Sequence, residues 1–220
     1  MLMVKKPAII VFIGNVGAGK TTHILAASRA LERAGFKVRK TYIKTTFFLT
    51  KPPMIKLFGN IQFIQIFVWR LLVSLDLLLN SIYIPIITWI KTILIPAIMR
   101  KHVVLVEEHI IGSLVDFVHA ALLLNLEPIV IPLLKILTKL SRICSWSKII
   151  YLFVIKKLLP KRWIKRGTLM ESKLYLLVQD LLFMITFRNT NNDIMYVNNT
   201  KEISLSYVND IIKILRKENN

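Results

Sequence analysis

The sequence has little cysteine and few acidic residues. A single cysteine, Cys144, cannot form an internal disulfide or a cysteine metal site, which favours a reducing, cytoplasmic location. Asp and Glu number 12 against 31 Lys and Arg, so the formal net charge is +19. A balance this basic is typical of proteins that bind phosphorylated ligands, nucleic acid or an anionic membrane face, and it does not choose among them.

The sequence also lacks an uninterrupted membrane-spanning run, although 55% of its residues are apolar. Many of these apolar residues lie in the segment 57–99. The longest uncharged run in that segment is residues 77–90, which is shorter than the roughly 18–20 residues that a spanning helix needs. Three charged residues, Arg70, Asp76 and Lys91, interrupt this region, and Pro85 and Pro96 are expected to bend a helix.

Two interpretations of residues 57–99 stay open at this stage. Helices over 61–79 and 82–99 could cover one face of a sheet or form a homodimer interface, or they could lie on a membrane surface with the basic side chains reaching the headgroups. The interrupting charges favour a core or an interface.

Glycine is scarce as well, and three of the seven glycines fall in one short segment. The residues Gly14-Asn15-Val16-Gly17-Ala18-Gly19-Lys20-Thr21 read G-x-x-x-x-G-K-T, a phosphate-binding loop. An apolar run at 8–13 precedes this loop and predicts a buried strand, whereas 22–33 has helical spacing. Strand, glycine loop and helix together are the context in which this motif binds a nucleoside triphosphate.

The residue types of the loop predict its chemistry. Glycines let the backbone N–H groups approach phosphate oxygens, and the following helix adds its positive N-terminal end. Lys20 is expected to contact the β- and γ-phosphates of ATP, and the Thr21 hydroxyl is expected to ligate Mg²⁺. The residues predicted to bind the nucleotide are Gly14, Asn15, Val16, Gly17, Ala18, Gly19, Lys20, Thr21 and Thr22.

An acidic residue follows another buried strand. Residues 103–106 form a short apolar run that ends in Glu107. An acidic side chain at the carboxyl end of a parallel strand is suited to hold Mg²⁺ or to orient a hydroxyl, so we expect Glu107 to act with Thr21 at the metal.

Residues 156–167 form a basic segment after another strand-like run. Arg162 and Arg166 lie four residues apart, hence on one face of a helix, and guanidinium groups suit phosphate oxygens. We therefore expect Arg162 and Arg166 to act on phosphate groups, and the family resemblance given below implies that the segment is a lid over them. The cations of the segment are Lys156, Lys157, Lys161, Arg162, Lys165 and Arg166.

The chain as a whole alternates between strand-like and helix-like patterns. Residues 111–146 have helical spacing, a T-x-x-E capping box at 168–171 predicts the start of a helix that runs to residue 185, and 203–217 predicts a closing helix. This alternation predicts one α/β domain over 1–220, a P-loop NTPase three-layer sandwich whose five-stranded parallel sheet has helices on both faces. The predicted strands are 8–13, 37–43, 103–106, 147–155 and 193–197.

These motifs resemble the thymidylate kinase-like branch of the P-loop nucleoside monophosphate kinases. The loop and helix at 11–38, the strand ending in Glu107, and the strand and basic segment at 151–171 carry the resemblance. It implies ATP and Mg²⁺ as cofactors, catalytic roles for Lys20, Glu107, Arg162 and Arg166, and transfer of a phosphoryl group to a nucleoside monophosphate such as dTMP or to a related small-molecule acceptor.

The acceptor half departs from that family. Glu108 stands where the family has an arginine, no acid follows the strand at 37–43, and Arg70 is the nearest substitute for a helix arginine that contacts the acceptor phosphate. The alternative is therefore a membrane-associated or regulatory P-loop NTPase without monophosphate kinase activity. Nucleic acid is a weaker partner, because the basic residues are spread along the chain and no recognition motif occurs.

Overall fold

The structure is a computed structural model. It describes residues 7–43, 62–107, seven helical positions between 112 and 122, 148–166, 172–189, 194–199 and 206–217. Cys144, Glu108, the capping box at 168–171 and most of the predicted helix at 111–146 lie outside these residues.

Five parallel strands form one sheet, in the order β2-β3-β1-β4-β5. The predicted parallel sheet is confirmed, and each strand falls at its expected place. β1 is central and pairs with β3 on one side and β4 on the other, so the strand order reverses at the strand that leads into the glycine loop. The strands are β1 Ala8–Gly14, β2 Val38–Tyr42, β3 Val103–Glu107, β4 Lys148–Phe153 and β5 Ile194–Asn198.

Helices connect and cover the strands. α1 begins directly after the glycine loop, and the closing helix α6 packs beside it. A 3₁₀ turn, Lys156–Leu158, leads into α4, and a π-helical segment, Ile90–Leu94, joins α2 to α3. The helices are α1 Lys20–Arg33, α2 Gln62–Trp89, α3 Ile95–Ile98, α4 Leu159–Arg166, α5 Lys173–Asn189 and α6 Ser206–Lys217.

The sheet has a hydrophobic core on each face, because successive strand side chains point in opposite directions. Phe12 of β1 packs into the core that α1 and α6 cover, whereas Val11 packs into the core that α2 and α5 cover. Strands buried on both faces are uniformly apolar, which explains the continuous apolar runs in the sequence. These two cores fix β1 in the middle of three layers and so fix the position of the loop that follows it.

The predicted division of residues 61–99 into two helices is wrong. α2 runs through Pro85 without interruption and continues into the π-helical segment and α3. The helix is anchored on both sides of Pro85, since Leu77 and Ile84 before it are buried in the core on this face of the sheet and Thr88 after it is 0% exposed. The irregularity falls instead at 90–94, directly before Pro96, a position at which a π turn is a common adjustment.

α5 begins at Lys173, and Ser172 directly before it is outside the helix. The Ser172 hydroxyl accepts a hydrogen bond from the Tyr175 backbone N–H at 3.0 Å, the usual N-cap contact. Ser172 therefore caps α5, while the predicted T-x-x-E capping box lies outside the described residues.

α2 has two faces of different character. Its buried side carries a row of polar residues, Asp76, Asn80 and Thr88, which continues with Thr92 in the π-helical segment, and all four are 1% exposed or less. The inner face of α2 is therefore not uniformly apolar. Exposed Arg70 does not belong to that row. The exposed apolar residues of α2 include Phe67, Leu71, Leu75, Leu78, Ile82, Ile86 and Trp89.

By length and composition alone, the segment Arg70–Ile98 could cross a membrane: it has 29 residues and a mean hydropathy of 1.8, and 39% of the window is buried. Core helices of soluble proteins satisfy the same criterion, so this finding does not decide between the two interpretations of the region.

Candidate active site

The carboxyl ends of β1 and β3 bring the predicted site together. Phe12 and Glu107 are paired in register, so Glu107 lies at the sheet edge where β1 ends and the glycine loop begins. α1 starts at Lys20, directly after the loop, and its N-terminal end points to the same place. Ligands of open α/β sheets bind at this edge, beside the point where the strand order reverses.

Thr21 and Glu107 meet at this edge. The Thr21 hydroxyl donates a hydrogen bond to Oε1 of Glu107 at 2.6 Å. A hydroxyl and a carboxylate are the hard oxygen ligands that Mg²⁺ prefers, and Mg²⁺ usually takes few protein ligands while water and phosphate oxygens complete its octahedron. The described residues contain no group of three or more His, Cys, Asp or Glu that could hold a metal. The pair therefore fits a magnesium ion that is shared with a nucleotide.

Lys20 lies under the loop. Its side chain is 7% exposed, and its ammonium group donates to the Gly14 carbonyl at 2.9 Å and to the Asn15 carbonyl at 3.3 Å. The Asn15 carbonyl also accepts the Ala18 N–H at 2.9 Å, which closes a tight turn. The charge is therefore held at the base of the loop, within reach of any anion that the loop surrounds.

α4 contacts the loop from the outside. The indole Nε1 of Trp163 donates to the Val16 carbonyl at 3.0 Å, and Nη1 of Arg162 donates to the Gly17 carbonyl at 3.2 Å. Trp163 is 2% exposed, so its indole is part of the packed interior rather than of a surface lid. The basic segment is thus attached to the loop by two neighbouring side chains.

Asn199, directly after β5, is hydrogen-bonded to Ala18, the next residue of the loop. Its side-chain amide donates to the Ala18 carbonyl at 2.7 Å, and its own carbonyl accepts Nη2 of Arg162 at 2.6 Å. A backbone hydrogen bond from Asn199 N–H to the Phe153 carbonyl at 2.8 Å fixes Asn199 to the sheet. One guanidinium group therefore joins the loop, α4 and the end of β5.

Together these contacts satisfy every carbonyl from residue 14 to residue 19. The oxygens of residues 16–18 are held by side chains outside the loop, whereas Lys20 and the Ala18 N–H serve residues 14 and 15. Because these carbonyls are already paired, the backbone N–H groups are left to surround an anion. The donors are Lys20 for residues 14 and 15, Trp163 for Val16, Arg162 for Gly17, Asn199 for Ala18 and the backbone N–H of His23 for Gly19.

Two loop glycines are required by geometry. Gly17 and Gly19 have φ of 87° and 88°, which L side chains rarely adopt. A Cβ at Gly19 would lie 2.5 Å from Nδ2 of Asn199, and one at Gly17 would lie 3.1 Å from Nε1 of Trp163. The close approach of the bracing side chains therefore depends on the absence of side chains in the loop.

A buried histidine lies behind the loop. His23 is 0% exposed, and its Nδ1 is hydrogen-bonded to the Tyr207 hydroxyl at 3.1 Å. Burial lowers the pKa of His23, an Asn199 contact opposes this shift, and the Arg162 charge adds to it. Burial also raises the pKa of Tyr207. Both groups are therefore neutral at pH 7 and add no charge behind the phosphate site.

A second polar cluster flanks the loop on the α5 side. Oδ1 of Asp180 accepts the Asn15 side-chain amide at 3.4 Å, and its other oxygen pairs with the Lys156 ammonium at 2.5 Å. Burial, together with the charge of Asp180 and with Tyr196, raises the pKa of Tyr151 to about 12. Asp180 thus fixes the side chain of the first loop residue after β1.

The structure brings together most of the predicted site residues. Thr21 and Glu107 meet at the loop mouth, Lys20 lies at the loop base, Arg162 contacts the loop, and Thr22 is exposed in the first turn of α1. Arg166 is the last residue of α4, and its side chain lies outside the described part of the chain. Their catalytic and ligand-binding roles stay predictions.

Sequence reasoning missed Trp163, Asn199 and Asp180. Asn199 could have been found from its position directly after the last strand, at the ligand-binding edge of the sheet. Trp163 had a weaker signal, as a large apolar residue between the cations of the basic segment.

Comparisons with known proteins are informative only for the fold. No protein-family model matches this chain, and no curated protein matches it. A solved structure of deoxyadenosine kinase from M. mycoides with bound dATP is similar to it with a TM-score of 0.54 and 15% identity, over 96% of this chain and 100% of that chain. A crystal structure of thymidylate kinase from Ehrlichia chaffeensis matches with a TM-score of 0.45 and 15% identity, over 97% and 99%.

The deoxyadenosine kinase match spans nearly all of both chains, so it bears on the whole fold. The predicted fold class, a five-stranded parallel sheet with helices around it, is therefore confirmed.

Proposed function

We propose that this protein transfers the γ-phosphoryl group of ATP to a nucleoside monophosphate or to a related small acceptor. The observation that carries the proposal is the loop at 14–19, whose carbonyls all accept hydrogen bonds, with Lys20 at its base and the Thr21–Glu107 pair at its mouth. Phosphoryl transfer needs positioning and charge neutralisation more than covalent chemistry, and these groups supply both.

Each residue then has a distinct task. The ammonium of Lys20 exchanges the Gly14 and Asn15 carbonyls for phosphate oxygens and neutralises charge between the β- and γ-phosphates. Thr21 and Glu107 hold Mg²⁺, which when bound neutralises charge on the transferring group. Arg162 keeps the loop attached to β5, and Arg166, one helical turn later, is the candidate to close over the phosphates.

The acceptor is proposed from weaker observations. The printed name of the similar structure with a TM-score of 0.54 is that of a deoxyadenosine kinase with bound dATP. The sequence motifs resemble those of the thymidylate kinase-like family. We propose a nucleoside monophosphate such as dTMP, with a deoxynucleoside as the nearest related acceptor.

A transfer assay tests the proposal. Purified protein is incubated with γ-labelled ATP, Mg²⁺ and a panel of nucleoside monophosphates and deoxynucleosides, and the labelled product is separated by chromatography. At least one acceptor should become labelled, and the label should depend on Mg²⁺. If ATP binds and no member of the panel is labelled, the kinase proposal fails.

The alternative is a membrane-associated or regulatory NTPase. The exposed apolar face of α2 favours it, since seven large apolar side chains at helical spacing form a surface that a membrane or a second copy in a homodimer would cover. The similar solved structures give it no support. Flotation with anionic vesicles and sedimentation without vesicles separate the outcomes: a monomer that does not float contradicts both the membrane and the dimer.

A further inference from the structure

We propose that Trp163 and Asn199 are positioning residues that hold the phosphate loop in its anion-binding conformation. This inference rests on the proposed nucleotide site and assigns a role to two residues outside the motif. Neither side chain is expected to touch phosphate, because each donates to a loop carbonyl on the side away from the loop interior. α4 is accordingly a brace attached to the loop rather than only a lid over it.

The contacts are specific in geometry. The indole N–H is a donor without acceptor capacity, and it reaches the Val16 carbonyl at 3.0 Å. The Asn199 amide reaches the Ala18 carbonyl at 2.7 Å. Both side chains are buried, 2% and 6% exposed, so water does not readily replace either donor. Loss of a donor therefore leaves a buried carbonyl that can be satisfied only if the peptide turns.

A turned peptide changes the loop interior. When a carbonyl between 16 and 18 rotates toward the phosphate position, the adjacent N–H rotates away, and the site exchanges a donor for an acceptor that repels an anion. If only a fraction of the molecules holds the binding conformation, the apparent dissociation constant rises by the inverse of that fraction. The brace therefore raises the affinity for phosphate, because it raises the fraction of molecules whose loop is in the binding conformation.

The brace is also cross-linked. Arg162 donates to the Gly17 carbonyl and to the Asn199 carbonyl, so the two positioning residues are joined through one guanidinium group. Gly17 and Gly19 leave room for this arrangement, since a Cβ at either position would crowd Trp163 or Asn199. Three side chains from α4 and the end of β5 thus hold three consecutive loop carbonyls.

The experiment compares variants of the full chain that remove one donor each and preserve shape. Trp163→Phe keeps an aromatic ring, and Asn199→Leu keeps the branched shape of the amide without its donor. Trp89→Phe, at a tryptophan that is 48% exposed on α2, is the matched control. Calorimetry measures the affinity for Mg–ATP and for inorganic tripolyphosphate, and urea unfolding measures stability.

Trp163→Phe and Asn199→Leu should each weaken ATP and tripolyphosphate binding by the same factor, roughly tenfold, whereas Trp89→Phe should leave both affinities unchanged. A merely structural role would lower the urea midpoint without a matched loss for the two ligands. Loss of ATP affinity with wild-type tripolyphosphate affinity would mean that the residue contacts the nucleoside, and it would overturn the proposal. If Trp163→Phe does not fold, Asn199→Leu decides the same question.

The Lys20→Ala variant separates failure of this inference from failure of the proposed function. If Lys20→Ala loses tripolyphosphate while the donor variants retain it, the brace is refuted and the nucleotide site stands. If the wild-type protein binds neither ATP nor tripolyphosphate, both are refuted.

Discussion

Thr21 and Glu107, separated by 86 residues of sequence, bring a hydroxyl and a carboxylate oxygen within 2.6 Å of each other at the mouth of the phosphate loop. The register of β1 with β3 produces this contact, because Glu107 is the last residue of β3 and pairs with Phe12. The glycine loop then returns the chain to the same edge at the first turn of α1. The contact is the structural basis for placing a divalent ion here.

Glu107→Gln should lower the rate of phosphoryl transfer by on the order of 100-fold, because an amide neither neutralises nor ligates Mg²⁺ as a carboxylate does. The Mg²⁺ concentration for half-maximal activity should rise as well. Glu32→Gln, at an exposed carboxylate in the last turn of α1, is the control and should behave as wild type. Unchanged Mg²⁺ dependence in Glu107→Gln would remove Glu107 from the metal site.

Gly19→Ala should weaken ATP binding far more than Gly35→Ala. Both glycines have nearly the same φ, 88° and 89°, so alanine is strained to a similar extent at each. A Cβ at Gly19 would meet Asn199 at 2.5 Å, whereas a Cβ at Gly35 would meet nothing within 4 Å. Calorimetry compares the ATP affinities of the two variants, which differ in whether the added Cβ meets a neighbouring side chain. Equal affinities would contradict the described packing of the loop.

Arg162→Lys should reduce affinity for tripolyphosphate by roughly tenfold, although the positive charge is retained. Arginine reaches the Gly17 carbonyl and the Asn199 carbonyl with two different nitrogens, and a single ammonium group cannot reproduce that fork. Lys161→Ala, at an exposed cation on the same helix, should leave the affinity within twofold. Wild-type binding by Arg162→Lys would show that charge alone is sufficient at this position.

The free energy of unfolding should fall as the pH is lowered from 7.5 through 6.5 to 5. Burial holds the pKa of His23 below its usual 6.5 in the folded protein, so the unfolded chain binds more protons in this range and stability decreases toward acid. One histidine contributes a slope of at most about 1.4 kcal/mol per pH unit. Burial also lowers the pKa of His119, which acts in the same direction.

Urea titrations at several pH values measure this slope. His23→Gln removes one titrating group and should flatten the curve between pH 5 and 6.5, with His119→Gln as the comparison for the second histidine. A slope that is identical in wild type and His23→Gln would show that His23 is protonated equally in both states.

The sequence sufficed for the fold and for the loop because both signals are local. Residues 8–21 contain a strand, three glycines, a lysine and a threonine in one run, and strand–loop–helix geometry follows from that run. Glu107 was predictable for a similar reason, since it ends an apolar strand. Each of these inferences needs only neighbouring residues and the rule that parallel strands present their carboxyl ends together.

The features that the sequence did not predict depend on contacts between distant residues. Trp163 is 147 residues from Val16, and Asn199 is 181 residues from Ala18, so nothing in either local sequence predicts the contact. The continuity of α2 through Pro85 was also missed, because burial of Ile84 before the proline and of Thr88 after it outweighs the local preference for a break. Tertiary packing decides these features, and a single sequence does not record which residues meet.

The most direct test of the central claim is the affinity of Lys20→Ala for Mg–ATP, measured by calorimetry beside Lys213→Ala, a control at a lysine whose side chain is 76% exposed. Lys20 is buried at the base of the loop and donates to its Gly14 and Asn15 carbonyls, so its loss should weaken ATP binding by roughly 100-fold and abolish phosphoryl transfer. Lys213→Ala should match wild type. Wild-type affinity and activity in Lys20→Ala would contradict the account, since no phosphate site that depends on this ammonium group would then exist.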